Sequence, residues 1–371
     1  MGLEALIDPG GVGALPVHFW SAVFFVLGCV VGSFLNVVIH RLPLGESIVS
    51  PPSHCPHCQY SIPWYLNIPL VTWLWLQGKC RNCGAPIAFR YFAVELLTAV
   101  TFLGCWLAFG GQSPAQAVVY CVFVAGLIAA SFIDDEHMIV PDEITLGGVA
   151  VGVLTSIFIP ALHAAPSPRE SLGRSLLGAA CGTALVYVIL RLGKLFLGRH
   201  KLQLATDSKI VFTETGLVLP DREIPYEDLF YRKSDVVIVK ARTAELVDRG
   251  YKDVPLRLAV GSLRIGDDAF DPEAVPHLEA VASEILLPRE AMGLGDVKFM
   301  AAVGAFLGWK ATIFSLFGSA VIGSLVAGGL YVVRWGKGSR QVAYIPYLAA
   351  AAALWIFAGP RILGWLLGRV P

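Results

Sequence analysis

Residues 291–309 read AMGLGDVKFMAAVGAFLGW. Two closely spaced glycines, Gly293 and Gly295, lead into a carboxylate, Asp296, and an apolar run follows at once. An ionised side chain at the mouth of a membrane segment is costly, so it is expected to face water, a partner charge or a substrate path. Whether the run behind it belongs to a bilayer decides the fold. Seven other apolar stretches bear on this: about residues 20–39, 92–109, 115–133, 144–162 and 176–192 before it, and 311–333 and 342–359 after it. Such lengths suit a bilayer, which takes roughly 17–25 residues to cross. The composition agrees, with 56% hydrophobic and 15% charged residues in 371. The sequence predicts a polytopic α-helical membrane protein with about eight transmembrane helices. The run at 297–309 is the one least suited to a full crossing.

The first sixteen residues hold Glu4 and Asp8 but no Lys or Arg, which does not support a basic secretory signal and places the amino terminus outside. By the positive-inside rule, three groups of loops are then cytoplasmic. They carry Arg41, Lys79, Arg81 and Arg90, then Arg191, Lys194, Arg199 and Lys201, then Arg334, Lys337 and Arg340. Acidic and basic side chains balance at 28 each, and no arginine patch alternates with aromatics, so nothing points to a nucleic-acid partner. Cys29, Cys105, Cys121 and Cys181 lie singly in apolar runs and read as small buried hydrophobes. Cys55, Cys58, Cys80 and Cys83 form two Cys-x-x-Cys pairs, in HCPHCQY and GKCRNCGAP. That spacing predicts a structural four-cysteine zinc site, with His54 and His57 as neighbours and two redox-active dithiols as the competing reading. A reducing cytoplasm leaves the thiols free for metal.

A partner for Asp296 occurs in SFIDDEHMIVPDE, residues 131–143, where the third apolar run stops at Asp134. From an outside amino terminus the third helix runs inward and the sixth runs outward, so both carboxylates are expected at the cytoplasmic surface. Two carboxylates in a partly dry site share a proton; one can then activate water while the other donates to a carbonyl oxygen, the chemistry of an aspartic protease. Gly293 and Gly295 permit a tight turn and close approach of a peptide. Asp296, near a helix amino terminus, is expected to be the charged member. The plainer alternative makes Asp296 a helix-terminal charge and Asp134, Asp135, Glu136 and Asp142 a solvated loop; for the last three it is preferred. Lys298 reads as a snorkelling interfacial lysine.

The segments GSFLNVVIHRLP, WYLNIPL, RYFAVELLTA, IDDEHMIVPD and GLGDVK, with the paired cysteines, together resemble the type IV prepilin peptidases, membrane aspartyl proteases of the Gly-x-Gly-Asp class. The resemblance covers about residues 31–192 and 291 onward. It implies removal of the short basic leader from type IV prepilins or type II secretion pseudopilins at the cytoplasmic face, commonly followed by methylation of the new amino terminus with S-adenosylmethionine. Asp134 and Asp296 fall on the catalytic positions, with Val140, Pro141 and Asp142 closing the first motif. Gly78 and Lys79 fall where the methyl-donor site is implicated, although no Gly-rich strand-to-helix turn of the usual kind accompanies them. Gly78 reads equally well as a turn residue before a knuckle. Asn36 and Glu95, polar residues within membrane runs, serve either cofactor or substrate, or an interhelical hydrogen bond. In VAYIPYLAAA, residues 342–351, the family often shows two prolines flanking a glycine; here Pro346 alone remains, with Ala343 and Ile345 at the other places.

The expected organisation is an amino-terminal transmembrane helix over 1–40, a cytoplasmic four-cysteine domain with the methyltransferase region over 41–91, and helices two to five over 92–198. An inserted cytoplasmic α+β domain then occupies 199–289, and the Gly-x-Gly-Asp motif with the last three helices 290–371. The insertion departs from the family pattern and holds sixteen of the 28 acidic side chains. KIVFTETGLVL, DVVIVKA and LRLAVGSLRI alternate as strands do, while PEAVPHLEAVASEILL predicts a helix through Leu278, Val281, Ile285 and Leu286. It carries no metal spacing, phosphate loop or nucleophile. Three roles stay open for it: docking pilus or secretion components, positioning Gly293 to Asp296, or passive insertion. The reading as a whole is a multi-pass enzyme of the bacterial inner membrane, its active site facing the cytoplasm, with prepilins or pseudopilins and the lipid bilayer as partners. Its rivals are a peptidase without methylation, a proton-coupled transporter and a catalytically silent scaffold. A transporter would hold its carboxylates at the bilayer midplane, and a scaffold would lack an aspartate or glycine of the motif.

Overall fold

The computed structural model describes residues 17–366 and 368, apart from 198, 214–215, 220–222, 231–235, 247–248, 260, 272–274, 276–277, 289–292, 335–342 and 367. Glu4, Asp8, Ala291, Met292, Lys337 and Arg340 lie outside the described residues. The chain divides into a helical unit and, over Val188–Gly293, a second unit.

The helical unit opens with α1 (Val17–Arg41), a connection containing the short α2 (Val71–Trp75), α3 (Phe89–Phe109) and α4 (Pro114–His137). Then come α5 (Asp142–Phe158) and α6 (Pro168–Leu197). After the second unit, with its one-turn α7 (Tyr226–Leu229), come α8 (Leu294–Leu307), α9 (Trp309–Arg334) and α10 (Ile345–Leu366). All eight predicted apolar stretches are helical, but six, α1, α3, α4, α6, α9 and α10, are long and apolar enough to cross a membrane. With 17 and 14 residues, α5 and α8 rise only about 25 and 21 Å, short of the ~30 Å hydrocarbon core.

Local chemistry fixes the helix ends that matter. Ser113 accepts the Gln116 N–H at 3.3 Å and Pro114 takes the first helical position, so α4 starts at a defined residue. At its other end Met138 adopts φ 54° and closes the helix by donating to the Asp134 carbonyl. Pro141 then starts α5, whose first turn holds Asp142 and Glu143 against the helix dipole.

Helices α4 and α8 are buried on nearly every side and form the centre of the unit. Val26 and Val30 on α1 and Phe317, Val321 and Leu325 on α9 are exposed at helical spacing, the surface a bilayer would cover. Backbones approach closely through small residues. A Cβ on Gly32 would lie 2.7 Å from the Glu95 Cα of α3, and a Cβ on Gly304 would overlap the carbonyl oxygen of Gly178 on α6. Gly304→Ala is therefore expected to destabilise the unit by about 1–3 kcal/mol or more, measured as a lower thermal midpoint in detergent; an unchanged midpoint would show that the crossing is not tight.

The second unit is an antiparallel sheet, ordered β3-β2-β1-β8-β4-β5-β6-β7. Its strands are β1 (Arg199–Phe212), β2 (Gly216–Val218), β3 (Glu223–Pro225), β4 (Val236–Leu246), β5 (Gly250–Ala259), β6 (Ser262–Ile265), β7 (Asp268–Phe270) and β8 (Leu278–Pro288). Ile210, Leu217, Val237, Val239, Leu256 and Ile285 anchor its core. First and last strands pair, Arg199 opposite Pro288, so the chain enters and leaves side by side and the unit fits within a single connection. The helix predicted over 272–287 is a correction: Leu278 to Pro288 is the central strand β8. Its buried positions run 278, 280, 282 and then 285, because a register shift interrupts the alternation. That phase slip imitates helical spacing. The described part of the insertion is thus mainly β, with helix confined to Tyr226–Leu229.

Candidate active site and cysteine centre

The segments bearing Asp134 and Asp296 meet. Asp134 sits in the last turn of α4 and Asp296 in the first turn of α8, 7% and 9% exposed. Two contacts join their loops. A Cβ on Gly295 would lie 3.2 Å from Val140 Cγ2, and Lys298 Nζ stands 2.6 Å from Asp142 Oδ1. Lys298 therefore bridges two helices, and Asp142, solvent-exposed as expected, also anchors this junction. Glu136 likewise pairs with Arg90 at the start of α3, and Asp135 is left exposed. Gly293 is exposed immediately before α8.

Asp134 has a further partner with no local signal in the sequence. Its Oδ2 accepts the Ile345 N–H at 3.0 Å, and the Tyr344 N–H also donates to it. Both belong to the amino terminus of α10, where unsatisfied N–H groups need acceptors, so Asp134 caps a helix remote in the chain. Ile345, one of the departures from the family pattern, thereby contributes through its backbone. Ser319 on α9 hydrogen-bonds the Tyr344 hydroxyl at 2.8 Å and fixes the same corner.

The four cysteines form a second centre, with all sulfurs within 4.8 Å of one another. Each pair lies in a knuckle of the same form: the Cys55 N–H donates to Tyr60 and the Cys80 N–H to Ala85, with Gln59 and Gly84 at positive φ after the second cysteine of each. Cys55 and Cys83 sulfurs are 3.9 Å apart, Cys58 and Cys80 4.0 Å. A tetrahedral zinc with Zn–S bonds of about 2.3 Å needs edges of ~3.8 Å, so the donor set fits. Hydrogen bonds from the Asn82 side chain and the Tyr60 backbone pull the Cys58 thiol down to about 6. Cys83 ends at about 11: the Ala85 N–H favours its thiolate but is outweighed by burial and the neighbouring sulfurs. Four sulfurs so close can all be thiolates only with a cation among them. Neither histidine belongs to the cluster.

Between the knuckles and the adjoining ends of α1 and α3 lies a cavity of about 500 Å³, within the range of small-molecule sites. Asn36, Glu46, Trp73, Tyr91 and Glu95 help to line it; Gly78 and Lys79 do not. Gly78, at φ 64°, turns the chain so closely that a Cβ would lie 2.9 Å from the Trp73 ring, so it bears on the cavity through that ring. Lys79 pairs with Pro86 in the knuckle ladder. Asn36 Nδ2 donates to the Tyr91 carbonyl at 3.0 Å, an interhelical hydrogen bond from α1 to α3.

Residues 26–109, which span α1, the knuckles and α3, match the bacterial peptidase A24 N-terminal domain. Residues 121–205 and 272–328 match the type IV leader peptidase family, the gap falling within the sheet unit. Three relatives are each named as a prepilin leader peptidase/N-methyltransferase. One from Myxococcus xanthus is 42% identical over 172 residues, covering 46% of this chain and 48% of its own length, so that match spans about half of it. One from Dichelobacter nodosus is 36% identical over 207 residues, covering 48% and 69%. One from Aeromonas hydrophila is 27% identical over 377 residues, covering 95% of both chains. No solved structure matches. The chain belongs to the type IV leader peptidase family. It is a membrane protein of the peptidase class.

Proposed function

We propose that the protein is an aspartyl endopeptidase that removes the basic leader of type IV prepilins or type II secretion pseudopilins at the cytoplasmic face of a bacterial inner membrane, and then methylates the exposed amino terminus. The observation that carries the proteolytic reading is the junction at which Gly295 packs on Val140 and Lys298 pairs with Asp142, because it holds two buried aspartates on adjoining helix ends. One carboxylate takes a proton from water while the other donates to the scissile carbonyl oxygen; burial lets the two share that proton. The Ile345 N–H steadies one oxygen of Asp134, so its carboxylate reacts from a fixed orientation.

The second activity is supported by the cavity. S-adenosylmethionine, when bound, supplies an electrophilic methyl group. Trp73 and Tyr91 offer apolar faces for a purine and Glu46 offers a carboxylate for a cation, so the lining suits a cationic nucleoside. Zinc held by Cys55, Cys58, Cys80 and Cys83 fixes the knuckles that complete the wall; with four protein ligands it has no position for substrate.

The test is cleavage of a purified prepilin by the full-length protein in liposomes, with the mass of the product amino terminus measured. Loss of the leader and a gain of one methyl group are expected; an uncut substrate would overturn the proteolytic reading, and an unmethylated product the second activity. Lys298→Met probes the junction. Both members of its ion pair are partly exposed, so stability should change by less than about 1 kcal/mol. Misplacing α8 against the Asp134 loop should nevertheless slow cleavage on the order of 10–100-fold. Wild-type cleavage by Lys298→Met would show that the pair does not position the site.

A further inference from the structure

Glu95 is a carboxylate within a membrane-length helix, 8% exposed, and none of the ion pairs among the described residues includes it. The cations around it are engaged elsewhere: Arg90 pairs with Glu136, Arg41 donates to the carbonyls of Ser47 and Pro51, and Arg81, on the same cavity, lies over the Trp75 ring. A buried carboxylate without a countercharge is destabilising, so its place on the cavity wall points to a cation that arrives with a ligand.

The surroundings specify the kind of cation. Glu95 Oε2 accepts the Leu70 N–H at 2.7 Å, and Ser33 is hydrogen-bonded to the same carboxylate. Leu70 is held at φ 61°, ψ −50°, with the Val71 N–H donating to the Pro69 carbonyl at 2.6 Å. This is the rare γ-turn with positive φ, strained for any residue with a side chain. The strain has a product: it aims a backbone donor at Glu95 and fixes the carboxylate. Asn36, 2% exposed and also lining the cavity, directs Nδ2 to the Tyr91 and Gly32 carbonyls and leaves Oδ1 with no partner in the protein. Two acceptors, one of them charged, thus line the same cavity from α1 and α3. A sulfonium has no hydrogen to donate, whereas a primary ammonium has three. An ammonium therefore uses both acceptors.

We infer that Glu95, with Asn36, binds the primary ammonium at the amino terminus freed by leader removal and accepts its proton before methylation. Resting on the methyltransferase reading above, this adds the amine site and the base. The nitrogen passes one proton to Glu95, its lone pair forms the new N–C bond as the C–S bond of the methyl donor breaks, and the thioether leaves with the sulfur electrons. The product nitrogen is a secondary ammonium, and the proton on Glu95 returns to water. Position favours the peptide over the donor's own ammonium group. Glu95 lies six residues, about 9 Å, into a membrane-length helix, a depth suited to an apolar peptide more than to a water-soluble nucleoside.

The test uses the full-length protein in liposomes. Glu95→Gln keeps an acceptor for the Leu70 N–H but cannot take a proton. Methylation of a pre-cleaved peptide is expected to fall on the order of 100-fold or more, while calorimetric binding of S-adenosylhomocysteine stays at the wild-type affinity. Wild-type methylation by Glu95→Gln would overturn the inference. Weakened S-adenosylhomocysteine binding would also overturn it, because Glu95 would then hold the donor's ammonium. A second measurement needs no variant: the cleaved peptide should quench or shift tryptophan emission at lower concentration than its des-amino analogue, and equal affinities would overturn the ammonium site. If the wild-type protein neither binds S-adenosylhomocysteine nor methylates, the methyltransferase reading itself fails, a result separate from those above.

Discussion

Asp296→Asn in liposomes is expected to leave a prepilin uncut, and Asp134→Asn to do the same, each lowering the cleavage rate by at least ~10²–10⁴-fold. Asparagine keeps the shape of the side chain and removes its capacity to exchange a proton. At position 134 it also keeps one oxygen to accept the Ile345 N–H, so the corner between α4 and α10 should survive. Thermal midpoints near wild type would establish that the loss is chemical. Two carboxylates sharing one proton work as a unit, so the double variant should be scarcely slower than either single one. Cleavage by either variant within about tenfold of wild type would be too small a loss for a catalytic acid or base and would remove that aspartate from the dyad. Asp135→Asn, at an exposed position beside Asp134, supplies the control and should cut normally.

Metal removal should separate the two activities. Stripping the protein with a chelator, or replacing Cys58 and Cys80 by Ser, is expected to remove one equivalent of zinc and abolish methylation while leader cleavage continues. Zinc binding to small cysteine sites is worth about 10–16 kcal/mol in folding, more than the knuckle segment can recover from its own few buried apolar residues. Without it the cavity loses the wall formed by Cys55, Tyr60, Cys80 and Arg81. The contacts that join the two aspartate segments draw on none of these residues. Metal content measured beside both activities decides the matter: methylation that persists in zinc-free protein would show that the knuckles do not build the methyl-transfer site, and parallel loss of cleavage would show that the two sites are not independent.

What could be read from the residues depended on how far apart the interacting groups lie in the chain. Apolar runs announce helices because each is continuous, and the eight helical stretches follow from that alone; that two stop at 17 and 14 residues depends on Pro141 and on the glycines around 293 and 308. The cysteine cluster was legible because its ligand spacing is local to each knuckle. The Lys298–Asp142 pair was not, since Lys298 was judged by the face it takes on its own helix and its partner stands on another. Opposite charges at the two motif ends were the available signal. Tyr344 and Ile345 gave none, because the groups that reach Asp134 are backbone amides, which every residue but proline possesses. In β8 the pattern itself misled: a register shift in a central strand changes the inward phase, and a period of two interrupted once resembles 3.6.

The Asp134 cap on α10 also has a consequence in time. The carboxylate and the Ile345 amide that orients it are separated by 211 residues. At ribosomal rates of about 5–20 residues per second, that interval takes roughly 10–40 s. Throughout it, α4 can already occupy the membrane while its aspartate lacks a fixed orientation. On the proposed dyad, completion of the last helix is therefore the step that sets the first aspartate, as the release of a safety catch does, long after its own helix has been made.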